Sequence, residues 1–370
     1  MSDRGTAGPK VLGLFEKRIE GDDCLLELAR RRFQAAGLGV EVHAGMADPL
    51  EHLLRFRPAP DAPVVVHLPR EFSLTHPGCR QQIVELARRF SRRVEGFVIH
   101  DHPDLANQPE LFRGAGEVVN ADLAALSPGP MLFIEYAAGL QPEVFAEFFH
   151  SIRGLPRVSA CLDIGHVGIW QARKAFAQRH PGQDVCALKS RPEELPRYLS
   201  DIEQAVGTAL EAVLDLLTAI GSLGKPLHCH LHDGHPLSEF SPFGVSDHLS
   251  FFTSIPLPGA PGGRRSVPPM FGPAGLKRIL ERALQCAGPE QLSLTLEIHP
   301  TFERKPLADA APLFAHWTDK TNAEKMNHWV DTLTQNAGLA AEVCAEVLAS
   351  LSRTGSPSSA RAGNSRPPAT

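Results

Sequence analysis

Eight short apolar runs, each followed by a stretch with helical periodicity, constrain the fold of this chain more than any other feature. The runs are rich in Val, Ile and Leu and span 11–15, 39–43, 64–67, 97–100, 131–135, 158–163, 227–231 and 293–298. Helices are predicted at 23–36, 81–92, 143–152, 192–223 and 273–287. Strands that alternate with helices are typical of a parallel sheet, and eight such units close a (β/α)8 TIM barrel. We therefore predict this barrel, with a doubly wound open sheet as the competing architecture.

Three predicted connections are long for a compact domain, at 168–191, 233–270 and 300–321. Each follows a strand, so a barrel places all three on its C-terminal face, where active sites are built. Residues 1–351 are predicted to form a single domain that ends in one or two helices over 321–351. The segment 352–370 is rich in Ser, Pro, Gly and Arg and is predicted to be a disordered tail.

Composition limits the partners that this chain is expected to have. The net charge of −5 and the lack of a basic, aromatic-rich stretch disfavour nucleic acid. The start of the chain is polar, and no run of 18 apolar residues predicts a membrane-spanning helix. Seven scattered cysteines without a CxxC pair favour reduced thiols in a cytoplasm. We expect a cytoplasmic protein without membrane contact that acts on a small-molecule substrate, and the sequence permits a homo-oligomer.

Six successive runs, the third to the eighth, end in residues that can bind a metal. In chain order these residues are His67, His100, Glu135, Asp163 with His166, His230, and Glu297. Carboxylates that converge at a barrel mouth would repel one another and raise one another's pKa unless a cation lay among them. A set of three carboxylates and one imidazole suits Mn, Mg, Co or Zn better than a soft-metal thiolate site does.

Other polar residues near the strand ends have more than one interpretation. Glu41 and His43, on the second run, are expected to orient structure, and His228 is expected to pack behind His230. The sequence leaves His232 open between support of a ligand, contact with substrate and exposure to solvent. In Asp163-Ile-Gly-His166 the glycine is predicted to allow a sharp turn that lets both polar side chains face the mouth.

At these residues the chain resembles the xylose isomerase-like barrel superfamily, over about 11–300. The family pattern has Glu at the end of the fifth strand, D-x-x-H after the sixth, H-x-x-D at the seventh and Glu at the eighth. The matching residues are Glu135, Asp163 and His166, His230 and Asp233, and Glu297. The resemblance implies a catalytic divalent metal on Glu135, Asp163, His230 and Glu297. In the epimerase branch the two glutamates also move a substrate proton, and His166 contacts the substrate.

The endonuclease IV-type branch of the same superfamily holds a three-zinc cluster. It adds histidines at the third and fourth strand ends, matched here by His67 and His100, and an Asp-x-His pair after the seventh strand. His248 fits that pair, but Ser246 stands at the aspartate position and Asp247 comes one place late. We therefore predict one tightly held ion and allow a second at His67, His100 and a shared Glu135, with His248 available to a further ion or to substrate.

Three functions follow from this sequence. The leading one is isomerisation or epimerisation of a sugar or related hydroxy-carbonyl compound, in which Glu135 and Glu297 transfer the proton. The second is phosphoester hydrolysis by a metal cluster, as in an apurinic endonuclease. The third is a barrel that binds a metal or metabolite without turnover.

Overall fold

Eight parallel strands close into a barrel in the computed structural model, which confirms the predicted (β/α)8 TIM barrel. The strands are β1 (Lys10–Leu14), β2 (Gly39–His43), β3 (Val64–His67), β4 (Gly96–His100), β5 (Met131–Glu135), β6 (Val158–Asp163), β7 (Leu227–Leu231) and β8 (Leu292–Leu296). Their order around the barrel is β1-β8-β7-β6-β5-β4-β3-β2. The structure describes residues 8–15, 19, 21–191, 193–237, 240–241, 244–245, 248–252, 255–256, 266–298 and 323–354.

The strands form where the sequence is continuously apolar, because each is covered by helices outside and by other side chains inside. Every residue of β3 and β5 is buried, for example. Six strands end at the predicted residue, whereas β1 ends one residue early at Leu14 and β8 ends two residues early at Leu296. Glu297 therefore lies one position beyond its strand.

Helices follow the strands and cover the barrel. They are α1 (Asp23–Ala35), α2 (Ala47–Leu53), α3 (Pro77–Phe90), α4 (Asp104–Asn107), α5 (Pro109–Ala124), α6 (Pro142–Ser151), α7 (Ile164–Arg179), α8 (Leu195–Gly221), α9 (Gly272–Ala287) and α10 (Ala323–Thr354). Residues at or next to the first turn of several helices explain where those helices begin. The Asp22 side chain accepts hydrogen bonds from the amides of Cys24 and Leu25 at the start of α1, and α3, α5 and α6 each begin with proline.

The predicted long connection at 168–191 is wrong, because most of it is helical. Helix α7 begins directly after β6, and a short 3-10 helix covers Val185–Ser190. The first turns of α7 are buried on several sides, so they lack the single apolar face by which a helix is recognised in a sequence.

Helix α8 is long and apolar enough to cross a membrane by length and composition alone. Its buried residues recur every three to four positions, at Ile202, Ala205, Ala209 and Val213. This face packs on α7 and α9, as expected of a barrel helix with one covered side.

Described parts of the long connection after β7 lie over the barrel mouth. Asp233 and Leu249 form an isolated antiparallel bridge, and the Met270 amide donates to the Gly234 carbonyl at 3.1 Å. Two short antiparallel pairs join Phe240–Ser241 to Gly244–Val245 and Ile255–Pro256 to Ser266–Val267. The connection predicted at 300–321 lies outside the described residues.

The predicted closing segment is one helix, α10, which reaches Thr354 and packs on α1 and α9. Its Trp329 indole donates to the Ile298 carbonyl at 3.2 Å, just beyond Glu297. The tail predicted from residue 352 thus starts within this helix, and residues 355–370 lie outside the described part.

Candidate metal centre

Strand register brings the predicted ligands to one level at the C-terminal end of the barrel. Asp163 pairs with His230 across β6 and β7, and His100 pairs with Glu135 across β4 and β5. Donor atoms of Glu135, Asp163, His230 and Glu297 all lie within 4.8 Å of one another, and all four residues are buried. The structure therefore places the four predicted ligands around one point, which we call the central group.

A second set, here the first flanking group, consists of His67, His100 and Glu135. His67 Nε2 lies 2.9 Å from Glu135 Oε2, and His100 Nε2 lies 3.5 Å from the same oxygen. The other oxygen, Oε1, lies 3.6 Å from His230 Nδ1 in the central group. Glu135 thus faces both groups, as the sequence predicted for a shared ligand.

The second flanking group corrects the expectation that Asp247, one place late in the loop, is the only carboxylate near a third site. It consists of Asp163, His166, His232 and His248, all buried. Asp163 Oδ1 lies 2.8 Å from His232 Nε2, and Asp163 Oδ2 lies 3.3 Å from His166 Nδ1. The carboxylate comes from β6 rather than from the loop after β7. Ser246 and Asp247, on which the expectation rested, lie outside the described residues.

Hydrogen bonds orient several of these imidazoles. His67 Nδ1 lies 3.0 Å from the Leu68 carbonyl, and His232 Nδ1 lies 2.8 Å from the Asp233 carbonyl. A ring nitrogen opposite a carbonyl must carry a proton, so Nε2 of each ring is the nitrogen left to bind an ion at the centre. Asp163 caps α7 by accepting the His166 amide at 2.8 Å, which fixes the carboxylate at the mouth.

Buried ligand atoms without good hydrogen-bond partners indicate that a metal fits this arrangement. Among the described residues, Asp163 Oδ2, His230 Nδ1, His232 Nε2 and Glu297 Oε2 are buried without a hydrogen bond of good geometry, and the close contacts of the two nitrogens are with other ligand oxygens. Buried polar atoms ordinarily have partners. Two ligands that bind one ion at about 2.1 Å lie roughly 3.0–3.4 Å apart, and His230 Nδ1 lies 3.0 Å from Glu297 Oε2. Three carboxylates among imidazoles suit a divalent first-row metal.

Electrostatics in the metal-free centre favour ionised carboxylates facing protonated imidazoles. Burial alone would raise the pKa of Glu135 and Glu297, but nearby histidines hold the pKa of each well below its usual range. Burial alone would lower the pKa of His230, but surrounding anionic groups raise it well above its usual value. Burial dominates at His100 and lowers its pKa to about 4. Divalent ions would replace the imidazolium protons in such a centre.

Two buried aspartates support the centre from outside it. Asp233, matched to the family pattern in the sequence, accepts the amides of Gly234 at 2.8 Å and Gly272 at 2.7 Å, so it ties the first turn of α9 to the end of β7. Asp101, which the sequence did not single out, accepts the Ala137 amide at 2.9 Å just beyond Glu135. Burial raises the pKa of Asp233 to about 6 and that of Asp101 to about 7. Each aspartate directly follows a histidine at a strand end, His100 or His232, and this position is the sequence signal that could have identified both.

The glycine of Asp163-Ile-Gly-His166 serves a different purpose from the one predicted. Gly165 lies in the first turn of α7 and has no positive φ. A Cβ at this position would lie 2.0 Å from Cε1 and 2.3 Å from Nδ1 of His232. Gly165 therefore provides room for an imidazole of the second flanking group rather than a sharp turn.

Comparisons with known proteins give similarity to the fold alone. No family model and no curated protein matches this chain. The crystal structure of AsfvAP:AG has a TM-score of 0.47 at 16% identity and covers 85% of this chain and 100% of its own. The carboxyl transferase domain of Rhizobium etli pyruvate carboxylase, with pyruvate and biocytin, has a TM-score of 0.40 at 10% identity and covers 91% of this chain and 48% of its own.

Proposed function

We propose that this chain is a metal-dependent hydrolase of a phosphate ester, with a centre for up to three divalent ions. One observation carries the proposal: the three ligand groups are contiguous and share carboxylates, Glu135 on one side and Asp163 on the other. Metals in two-metal phosphoesterases stand about 3.5–4 Å apart, a distance that one carboxylate spans. A centre for a single ion would not need the three further imidazoles around Asp163.

Charge separates this reaction from its alternatives. Three carboxylates, of Glu135, Asp163 and Glu297, face the centre. With one divalent ion they leave one excess negative charge, which would repel a phosphate. With three ions the centre has three excess positive charges, which attract a phosphate. The imidazoles are neutral as ligands, so they add binding capacity without cancelling this charge.

The residues at the mouth have separable roles in this proposal. Glu135, Asp163, His230, Glu297 and the flanking histidines would hold divalent ions, which when bound would supply Lewis-acid polarisation of the ester oxygens. Glu297 is the most accessible of the three carboxylates, at 8% exposure against 1% for Glu135 and 0% for Asp163. It can accept the proton of a water that attacks phosphorus and return that proton to the leaving ester oxygen as its bond to phosphorus breaks. His100, partly exposed at the rim, can contact the substrate.

A second candidate is the isomerase or epimerase that leads on sequence. It is favoured by the central group, which is complete without the flanking histidines and has two glutamates near His230 Nδ1, at 3.0 Å for Glu297 and 3.6 Å for Glu135. A single ion with one excess negative charge suits a neutral polyhydroxy compound. Glu135 and Glu297 would then exchange a proton with a substrate carbon between them.

Metal count and substrate class together test the two candidates. The measurement is divalent metal per chain in protein purified without chelator, followed by hydrolysis of bis(p-nitrophenyl) phosphate and by solvent deuterium incorporation into ketoses. Two or three ions with phosphodiester cleavage support the hydrolase, and one ion with deuterium exchange supports the isomerase. His230→Gln should abolish either activity, whereas His52→Gln, on the outer helix α2, should not. A folded wild-type protein that binds no divalent metal would overturn both and favour a non-catalytic barrel.

A further inference from the structure

Glu41 is a buried carboxylate that the proposed chemistry does not use. It lies on β2 with 0% exposure and reaches across the barrel to β7 and β8. Oε1 accepts from His230 Nε2 at 3.1 Å, and Oε2 accepts from His228 Nε2 at 3.0 Å and from the Thr295 hydroxyl at 2.6 Å. One oxygen therefore contacts a member of the central group, and the other has its partners one step further down β7 and β8.

His230 differs from the other oriented imidazoles in two respects. In His67 and His232 the Nδ1 proton is held by the carbonyl of the next residue, and Nε2 faces the centre. In His230 the ring is reversed, so that Nδ1 faces Glu135 and Glu297 and Nε2 faces Glu41. The partner of its second nitrogen is a charged carboxylate from a strand that is not adjacent to β7.

We propose that Glu41 is the positioning residue of the centre: it holds the Nε2 proton of His230 and thereby presents Nδ1 as the metal-binding atom. This inference rests on the proposed metal-dependent function. A carboxylate that accepts a ligand's second N–H fixes the tautomer and ring orientation and makes the metal-binding nitrogen more basic. Because His230 is in the central group, its orientation would affect how an ion is held there.

Direct metal binding by Glu41 is a weaker interpretation. Glu41, His67 and His230 have donor atoms within 4.8 Å of one another. An ion there would have to replace the His230–Glu41 hydrogen bond and turn His67 away from Glu135, to which its Nε2 lies 2.9 Å distant. The positioning role leaves both contacts in place.

The test compares Glu41→Gln with Thr295→Val. Thr295 donates to the Glu41 oxygen that faces His228, so its loss disturbs the same buried network but leaves the His230 contact in place. Glu41→Gln should lower zinc affinity by about 10- to 100-fold, the usual effect of removing such a partner. It should also change the visible spectrum of the cobalt-loaded protein. Thr295→Val should keep zinc affinity within about threefold and leave that spectrum unchanged, since no ligand partner is removed.

Long-range ¹H–¹⁵N spectra of the zinc-loaded wild type keep the inference testable even when Glu41→Gln does not fold. The expected spectrum shows His230 with a protonated Nε2 and a metal-shifted Nδ1, the reverse of His67. Zinc on Nε2 of His230, or equal zinc affinity and cobalt spectra in wild type and Glu41→Gln, overturns the inference while the proposed function stands. A wild type that binds no zinc or cobalt overturns both.

Discussion

Gly165→Ala is the smallest substitution by which the packing of the second flanking group can be tested. The added methyl carbon would lie 2.0 Å from Cε1 of His232, where an ordinary contact is 3.4 Å or more. Helix α7 begins at this point and is fixed by Asp163, so the imidazole must retreat by about 1.4 Å. That movement separates His232 Nε2 from Asp163 Oδ1, which are 2.8 Å apart.

Two effects of opposite sign set the stability of this variant. Alanine is favoured over glycine in a helix by up to about 1 kcal/mol. Overpacking a buried site costs about 1–3 kcal/mol, and breaking the contact to Asp163 leaves a buried carboxylate without one of its partners, which adds to the loss. We expect a net destabilisation of about 1–3 kcal/mol, together with loss of the ion that is proposed to bind the second flanking group.

Gly207→Ala is the matched control. Gly207 lies in the exposed face of α8, and nothing lies within 4 Å of a Cβ there, so this variant should be more stable than wild type by up to about 1 kcal/mol. The assays are urea denaturation and metal content per chain for the three proteins. Equal stabilisation of both variants, with metal content unchanged in Gly165→Ala, would refute the packing argument.

Three further predictions concern single groups. Glu297→Gln should reduce activity by about 10²-fold or more with little change in melting temperature; activity within threefold of wild type would remove Glu297 from proton transfer. Asp233→Asn should lower the free energy of unfolding, measured by urea denaturation, by about 1–3 kcal/mol, because its Oδ2 accepts the Gly272 amide at 2.7 Å and an amide nitrogen there would not; a loss below about 0.5 kcal/mol would contradict the capping role. Burial lowers the pKa of Lys225 to about 8, so the folded state disfavours its charge. Lys225→Met should therefore raise the melting temperature, with the largest increase below pH 8 and a smaller one as the pH rises toward 10.5. An increase that does not change with pH would show that the charge of Lys225 is not responsible.

The barrel could be predicted because its strands are buried on both sides and so have continuous apolar sequences. Burial also explains why the connection predicted at 168–191 was wrong. The start of α7 is covered from several directions, so Ile164, Val167 and Ile169 do not form the single stripe that identifies a surface helix. Gly165 and Gly168, in the same turns, lie where His232 and Phe271 approach closely, so a Cβ at either position would clash.

The central group could be predicted for a related reason. In a parallel barrel every strand ends at the same face, so position along the strand is enough to place Glu135, Asp163, His230 and Glu297 together. What position cannot give is the direction in which each ring points. His230 and His232 are two residues apart, yet one presents Nδ1 and the other Nε2, since one has Glu41 as its partner and the other a main-chain carbonyl.

The partner of His230 comes from β2, which is separated from β7 by β1 and β8. The contact between Glu41 and His230 therefore depends on the diameter of the closed barrel and on the layer that each side chain occupies. Neither can be predicted from local sequence. The same holds for Asp163, whose two oxygens contact His166 on α7 and His232 just beyond β7. A sequence can thus indicate the members of a metal centre, whereas the number of ions they hold depends on which carboxylates are shared, and sharing is a property of the closed barrel.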